Sequence, residues 1–506
     1  MKRSARILSL LLAVLMLAVC FAACKKDDQQ KDNQQQKDNQ QQKDNQQQKD
    51  NVDDNKLDLS KTDSWTDEQW LAYEQSLDYG GRTFTLMTHQ PNRRSPNEEN
   101  PTQIDTDLDN LIKQFESDLN VNFEIAGNWV DGATLATWTA GGDNPADVYD
   151  FRPSNWLPYA AKGAIFNWAS DEAKSYGVNV NNEKLFWQDW THAWDINGAT
   201  YAVRYASKFY PPEAGWIMLY NEDILDANGI KNIEDKVRKG EWTWDYFLDC
   251  AKACTKDTDA DGTPNTWGIA TGYAAYGEEV VAGGGNIVTM KDGKLTCELN
   301  TPAAIEGLTF MSKQANSGAI MKGADGNANI GYGEGHTAFA AGEVAFLYTE
   351  LRIIANKAYS DEFGMRRMEA TWGVLPLPVK AGEPYRNIIG NHDTDWILMT
   401  NKDREFSVKV YTAFARRQND VNWKDCVAEA YLQDPTDTNK ADILANYVIP
   451  NVTPNYQWVS GDVNDLYRSE AVYPIYDEKA SPAAIAEAVA PKIQGLLDNI
   501  SEFPKN

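Results

Sequence analysis

The chain has 506 residues, of which 74 are acidic and 48 basic, for a formal net charge of −26. That balance repels nucleic acid and anionic lipid alike, so neither is an expected partner. Four histidines and six cysteines leave little material for a His-based metalloenzyme or a disulfide scaffold. Seventeen tryptophans and twenty-three tyrosines are the more informative excess. Flat rings suit the apolar C–H faces of sugars, although two large cores would also absorb many of them.

Lys2, Arg3 and Arg6 precede an apolar run from Ile7 to Ala23 that only Ser9 and Cys20 interrupt. This is the charged and apolar pattern of a secretory signal. The run ends Phe21-Ala22-Ala23-Cys24, which resembles the lipobox of bacterial lipoproteins. The resemblance implies that residues 1–23 are a signal peptide and that Cys24 carries the lipid. Phe21 stands where leucine is usual, and Leu17-Ala18-Val19-Cys20 is a poorer second match. The competing reading is an uncleaved anchor, because roughly 17 apolar residues lie at the lower limit for a span. Residues 24–60 then form a polar tether, with the hexad Lys-Asp-Asn-Gln-Gln-Gln starting at Lys31, Lys37 and Lys43. With almost nothing apolar to bury, it is expected to be disordered, with a reach on the order of 30 Å.

About 445 residues follow, enough for two lobes rather than one core. Thr83 to Met87 reads as a strand ending at His89-Gln90. Ile104, Leu108, Leu111, Ile112, Phe115 and Leu119 recur at helical spacing, and Val121 to Ile125 alternates as a second strand. A helix over about Ala133 to Thr139 stops at Gly141-Gly142, and Ala146 to Phe151 is a third strand. This alternation predicts an α/β fold with a mostly parallel sheet, whose ligands bind beyond the carboxyl ends of the strands. Cys250 and Cys254 lie one turn apart on a helical stretch from Trp244 and are expected to be packed thiols. A final helix, about Pro482 to Ile500, carries a core stripe of Ile485, Val489, Ile493, Leu496 and Leu497.

From about Arg82 onward the chain resembles the extracellular solute-binding proteins of carbohydrate-type ABC importers. The likeness rests on landmarks in order: Asp143 to Val148, Tyr159 to Ala164, Tyr201 to Tyr205, Trp216 to Leu225, Glu241 to Asp245, Phe339 to Phe346 and Trp372 to Pro378. It implies a two-lobed, type II periplasmic-binding-protein-like fold with hinge strands and a cleft between the lobes. By analogy, residues 80–218 and 382–450 would form lobe one, and 219–381 and 451–506 lobe two. It further implies a monomer that captures a carbohydrate, more in keeping with an oligosaccharide at this size, and delivers it to permease subunits. The membrane would be reached through the lipid anchor alone.

Asp257-Thr258-Asp259-Ala260-Asp261-Gly262-Thr263-Pro264-Asn265 reproduces the first half of an EF-hand loop, with carboxylates at positions 1, 3 and 5 and Gly at 6. Position 12 is Gly268, so the usual bidentate Glu is missing. Asp257, Asp259, Asp261, the Thr263 carbonyl and the Asn265 amide are the candidate ligands of a structural Ca2+. The competing reading is an empty acidic turn. No catalytic cofactor is expected.

At landmarks matching the family, the candidate solute contacts are Gln90, Phe151, Arg152 and Trp156 in lobe one and Glu213 and Trp216 at the first crossing. Tyr348, Glu350 and Arg352 follow in lobe two, with Asp393 and Trp396 on the return. Thr349-Glu350-Leu351-Arg352 departs from the Gly-rich turn and Trp common in the family. Arg152, Arg204 and Arg352 leave room for an acidic solute. The alternative function is a surface glycoside hydrolase or another carbohydrate-active lipoprotein. It would need paired carboxylates in a catalytic setting or a nucleophile elbow, and no Gly-x-Ser-x-Gly or His-Glu-x-x-His motif occurs.

Overall fold

The computed structural model of the chain describes residues 57–96, 102–128, 130–212, 215–271, 277–323, 333–355, 363–365, 368–389, 394–450, 452–477, 481–500 and 502–504. The expected signal peptide, Cys24 and nearly all of the tether lie outside them. Leu59 to Asn506 forms one compact unit. Among the described residues no helix is long and apolar enough to cross a membrane.

The first sheet has the order β11-β3-β1-β2, built from β1 (Arg82–Thr88), β2 (Val121–Gly127), β3 (Val148–Phe151) and β11 (Thr394–Trp396). β1 pairs in parallel with β2 and β3, and β11 runs antiparallel to β3. The helical spacing read from Ile104 to Leu119 appears as the helix Gln103–Leu119. Thr102 and Asp105 close a capping box at its start, and Asn120, with φ of 47°, ends it in the left-handed conformation. Phe115, Phe123 and Phe414 pack together between this helix, the sheet and the helix Arg404–Gln418, with Phe123 and Phe414 stacked at 4.2 Å. The helix Asp67–Ser76 is fastened to the same lobe by the buried Glu74, which accepts from Arg416 and Arg417 at 2.6 to 2.9 Å.

The second sheet has the order β5-β8-β4-β9, from β4 (Trp216–Asn221), β5 (Trp267–Thr271), β8 (Val344–Glu350) and β9 (Trp372–Leu375). β4 is antiparallel to both β8 and β9, while β5 and β8 are parallel. Residues of β4, β8 and β9 are all buried, as expected of strands covered on both faces. Cys250 and Cys254 are buried free thiols on the helix Trp244–Cys254, and burial pushes Cys254 up to about 12. The last helix, Pro482–Leu497, buries Ile485, Val489, Ile493 and Leu497 and rests on the hairpin strand β7 (Lys294–Cys297), whose partner is β6 (Val288–Lys291).

Between the sheets, β10 (Asn387–Ile389) pairs in parallel with β12 (Val452–Pro454) beside β4. Here Gly215 lies so close to Ile388 that a Cβ would collide with its carbonyl oxygen, so the crossing into β4 requires glycine. The segment after Trp423 departs from the expected lobe boundary at residue 450. Arg238 donates from Nε to Asp442 (2.9 Å) and Lys440 from Nζ to Glu222 (2.7 Å), which fastens residues 438–443 to the second lobe.

Candidate functional site

Thr88 and Asp150 are register partners at the ends of parallel strands, so the next residues of both chains emerge side by side. Phe151 stacks on His89 at 5.9 Å, and Arg152 stands at the N-cap position of the helix Pro153–Ala160 without a side-chain capping bond. Gln90 is half-buried and accepts from Arg93 at 3.3 Å. Across the molecule, Trp216 faces Glu350 in the register of β4 and β8, and Arg352 donates from Nε to Glu350 at 2.6 Å. Burial pulls the His89 imidazole down to about 4, and the charges of Arg152, from its own lobe, and Arg352, from the other, add to the effect.

The first sheet thus brings Gln90, Phe151 and Arg152 to its strand ends and the second brings Trp216, Glu350 and Arg352 to its own, with Phe151 and Trp216 buried at 1% and 4% exposure. Tyr348 is fully buried in β8, register partner of Thr271, and lies beneath the surface next to Glu279. Trp156 and Trp396 are wholly buried in the first lobe. The Trp156 indole donates to Thr394 at 2.9 Å and Trp396 stacks on Tyr149 at 4.7 Å, so both rings serve the core as they stand. Glu213 and Asp393 lie outside the described residues. Two open hollows of about 610 and 690 Å3 lie elsewhere, and none of the strand-end residues lines either.

Under the first lobe's strand ends sits a charged network without a sequence motif. Arg94 is 4% exposed and donates to Asp150 (2.9 Å), to Asp395 (3.0 Å) and to the Tyr205 hydroxyl (2.6 Å). Its guanidinium lies over the Tyr210 ring at 3.7 Å, and the buried Arg204 covers the same ring at 4.3 Å. Burial opposes the Asp150 charge, but Arg94 outweighs it and holds that carboxyl low. Asp395, sharing the same cation, is pushed up by burial and by its neighbour Asp150, against the pull of Arg94. The network pins the turn Pro91–Arg93 that follows His89 and Gln90. Its one sequence signal is the pair Arg93-Arg94, a few residues beyond the end of β1.

The acidic loop lies apart from the strand ends. The ligand oxygens of Asp257, Asp259 and Asp261 come within 4.8 Å of one another, all exposed. Gly262, with φ of 92°, makes the sharp turn, and its N–H donates to Asp257 at 2.9 Å. The Thr263 N–H donates to Asp261 at 2.8 Å. Asn265 braces the loop: its oxygen accepts from Thr258 and its amide donates to Asp259 at 3.1 Å. Three hard carboxylates at this spacing fit a calcium ion's donor preference, whereas the Asn265 oxygen is already engaged.

Residues 99–414 match the family model described as bacterial extracellular solute-binding protein. A search of curated protein sequences finds no match. Among solved structures, an ABC substrate-binding protein of Listeria monocytogenes in complex with cycloalternan aligns at 15% identity and a TM-score of 0.55, over 83% of this chain and 99% of that one. The maltose/maltodextrin-binding domain MalE of Bdellovibrio bacteriovorus, bound to maltotriose, aligns at 16% identity and a TM-score of 0.55, over 82% and 100%. UgpB of Mycobacterium tuberculosis, in complex with glycerophosphocholine, aligns at 14% identity and a TM-score of 0.57, over 83% and 99%. At such identities the likeness establishes the two-lobed binding-protein fold. With its family model spanning more than half its length, the chain belongs to the bacterial extracellular solute-binding proteins.

Proposed function

We propose that the protein captures a carbohydrate, in keeping with its size an oligosaccharide, between its two lobes and passes it unchanged to the permease subunits of an ABC importer. The observation that carries this reading is that each sheet ends in an aromatic side chain beside planar polar groups, Phe151 with Gln90 and Arg152 in one lobe and Trp216 with Glu350 and Arg352 in the other. Aromatic faces beside planar polar groups are the chemistry that grips a sugar. Sugar-bound neighbours of the same fold support it. The protein acts as a monomer, and the signal and lipobox pattern support its being held at the outer face of the cell membrane through lipid on Cys24. Asp257, Asp259 and Asp261, with the Thr263 carbonyl, would hold a calcium ion that braces the loop rather than acting on solute.

A thermal-shift screen of residues 57–506 against a broad glycan panel tests the reading, since a ligand of the native state alone raises the melting temperature. A shift of several degrees with one glycan class is expected. No shift with any glycan would overturn it.

A further inference from the structure

Two tight turns, one from each lobe, touch on the hinge side of the molecule. In the first lobe, Ile196 and Ala199 exchange backbone hydrogen bonds across Asn197-Gly198, whose φ values are 53° and 81°. In the second, β6 and β7 are joined through Asp292-Gly293, with φ values of 51° and 80°. Positive φ at both central residues is the geometry of a two-residue hairpin turn, for which Asn-Gly and Asp-Gly are the favoured sequences. The Asn197 amide packs directly on Gly293, where any side chain would strike it.

Residues 502–504 join this contact. The chain reaches it from the helix Pro482–Leu497, which is bound to the second lobe through Gln494, the acceptor of the Cys297 N–H at 2.8 Å. The Phe503 N–H donates to the Gly293 carbonyl at 2.9 Å. Its own carbonyl and that of Pro504 accept from Asn197 at 3.4 and 3.1 Å. The Phe503 side chain is buried and lies 6.5 Å from the Tyr201 ring of the first lobe. Gly293 thus ties this segment to lobe two, and Asn197 and Tyr201 tie it to lobe one.

We infer that residues 502–504 are a strap that ties the two lobes together beside the hinge and limits how far they open. By limiting the opening, the strap leaves less rearrangement for a solute to drive.

Small-angle X-ray scattering of residues 57–506 without solute tests the strap. Two variants are compared with the parent: a chain ending at Ile500, and Asn197→Gly, which keeps the positive φ while removing the amide. Both should shift to a larger radius of gyration, by on the order of 1 Å on roughly 22 Å. Circular dichroism should remain that of the parent, which separates opening from unfolding. Scattering curves of both variants that superimpose on the parent's would overturn the strap. So would an increase seen only where circular dichroism shows lost helix.

Discussion

Beneath the strand ends of the first lobe, Arg94 lies between Asp150 and Asp395 and sets one positive charge against their two; beneath those of the second, Glu278 and Glu279 are as deeply buried, and among the described residues no basic group acts on them. Among the described residues Glu278 finds no hydrogen-bond partner for either oxygen, and Glu279 accepts from Gln314 at 3.1 Å, with Tyr348 close by. Burial pushes Glu278 well up and Glu279 up to about 7. One lobe keeps its buried carboxylates charged by pairing them, and the other keeps its carboxyls neutral by holding their protons. The same removal of charge should therefore be damaging in lobe one and mild in lobe two.

The largest effect is expected from Arg94→Met, which strands two carboxylates in the first lobe. Breaking a buried pair in this way costs about 3–5 kcal/mol, read as a lower urea midpoint. An unchanged midpoint would mean that Asp150 and Asp395 are not charged in the native state. Next comes the pH dependence of lobe two. The folded-state value of Glu279, about 7, stands above its ordinary 4.5, so the native state binds the extra proton. Its contribution is complete below pH 4.5 and is lost as pH rises through 7, a difference on the order of 3 kcal/mol. Relative to Glu279→Gln, the parent should lose stability between pH 5 and 8, and parallel curves would refute the assignment.

The exposed loop extends the comparison to carboxylates in water. With calcium at about 100 times its Kd, chelation should lower stability by about 2.7 kcal/mol, and Asp259→Ala should abolish the sensitivity. A melting temperature indifferent to chelator in the parent would leave the loop an empty acidic turn. Smallest is Glu278→Gln, which replaces a protonated acid by its isostere. Its effect at pH 7 should stay within about 0.5 kcal/mol, and a large loss would mean that Glu278 is ionised.

The local pattern was sufficient wherever one element decides the outcome. The spacing of Leu108, Phe115 and Leu119 announces a helix, and those residues are its buried face. Strand ends follow from the same alternation, which is why Gln90, Phe151 and Arg152 emerge together. Trp156 and Trp396 show where such reading stops: a Trp in the helix after a strand, or in a strand, looks alike whether it faces solute or core, and Thr394 and Tyr149 decide it from far along the chain. Arg94 was hidden for the same reason, with Asp395 301 residues away. Glu278-Glu279 reads locally as a solvated turn, because the tyrosines that enclose it, Tyr348, Tyr467 and Tyr476, come from other elements. The passage of residues 438–443 to the second lobe likewise depends on Asp442 and Lys440 finding partners more than 200 residues away.

That the molecule is a trap for solute and not an enzyme is tested most directly by recovering what it holds. Residues 57–506 would be incubated with a mixed pool of oligosaccharides, separated from unbound material and denatured, and the released glycan weighed by mass spectrometry. One intact glycan per protein, with no new reducing ends in the pool, is the predicted result. Shortened products accumulating with time, or protein that emerges empty, would contradict it.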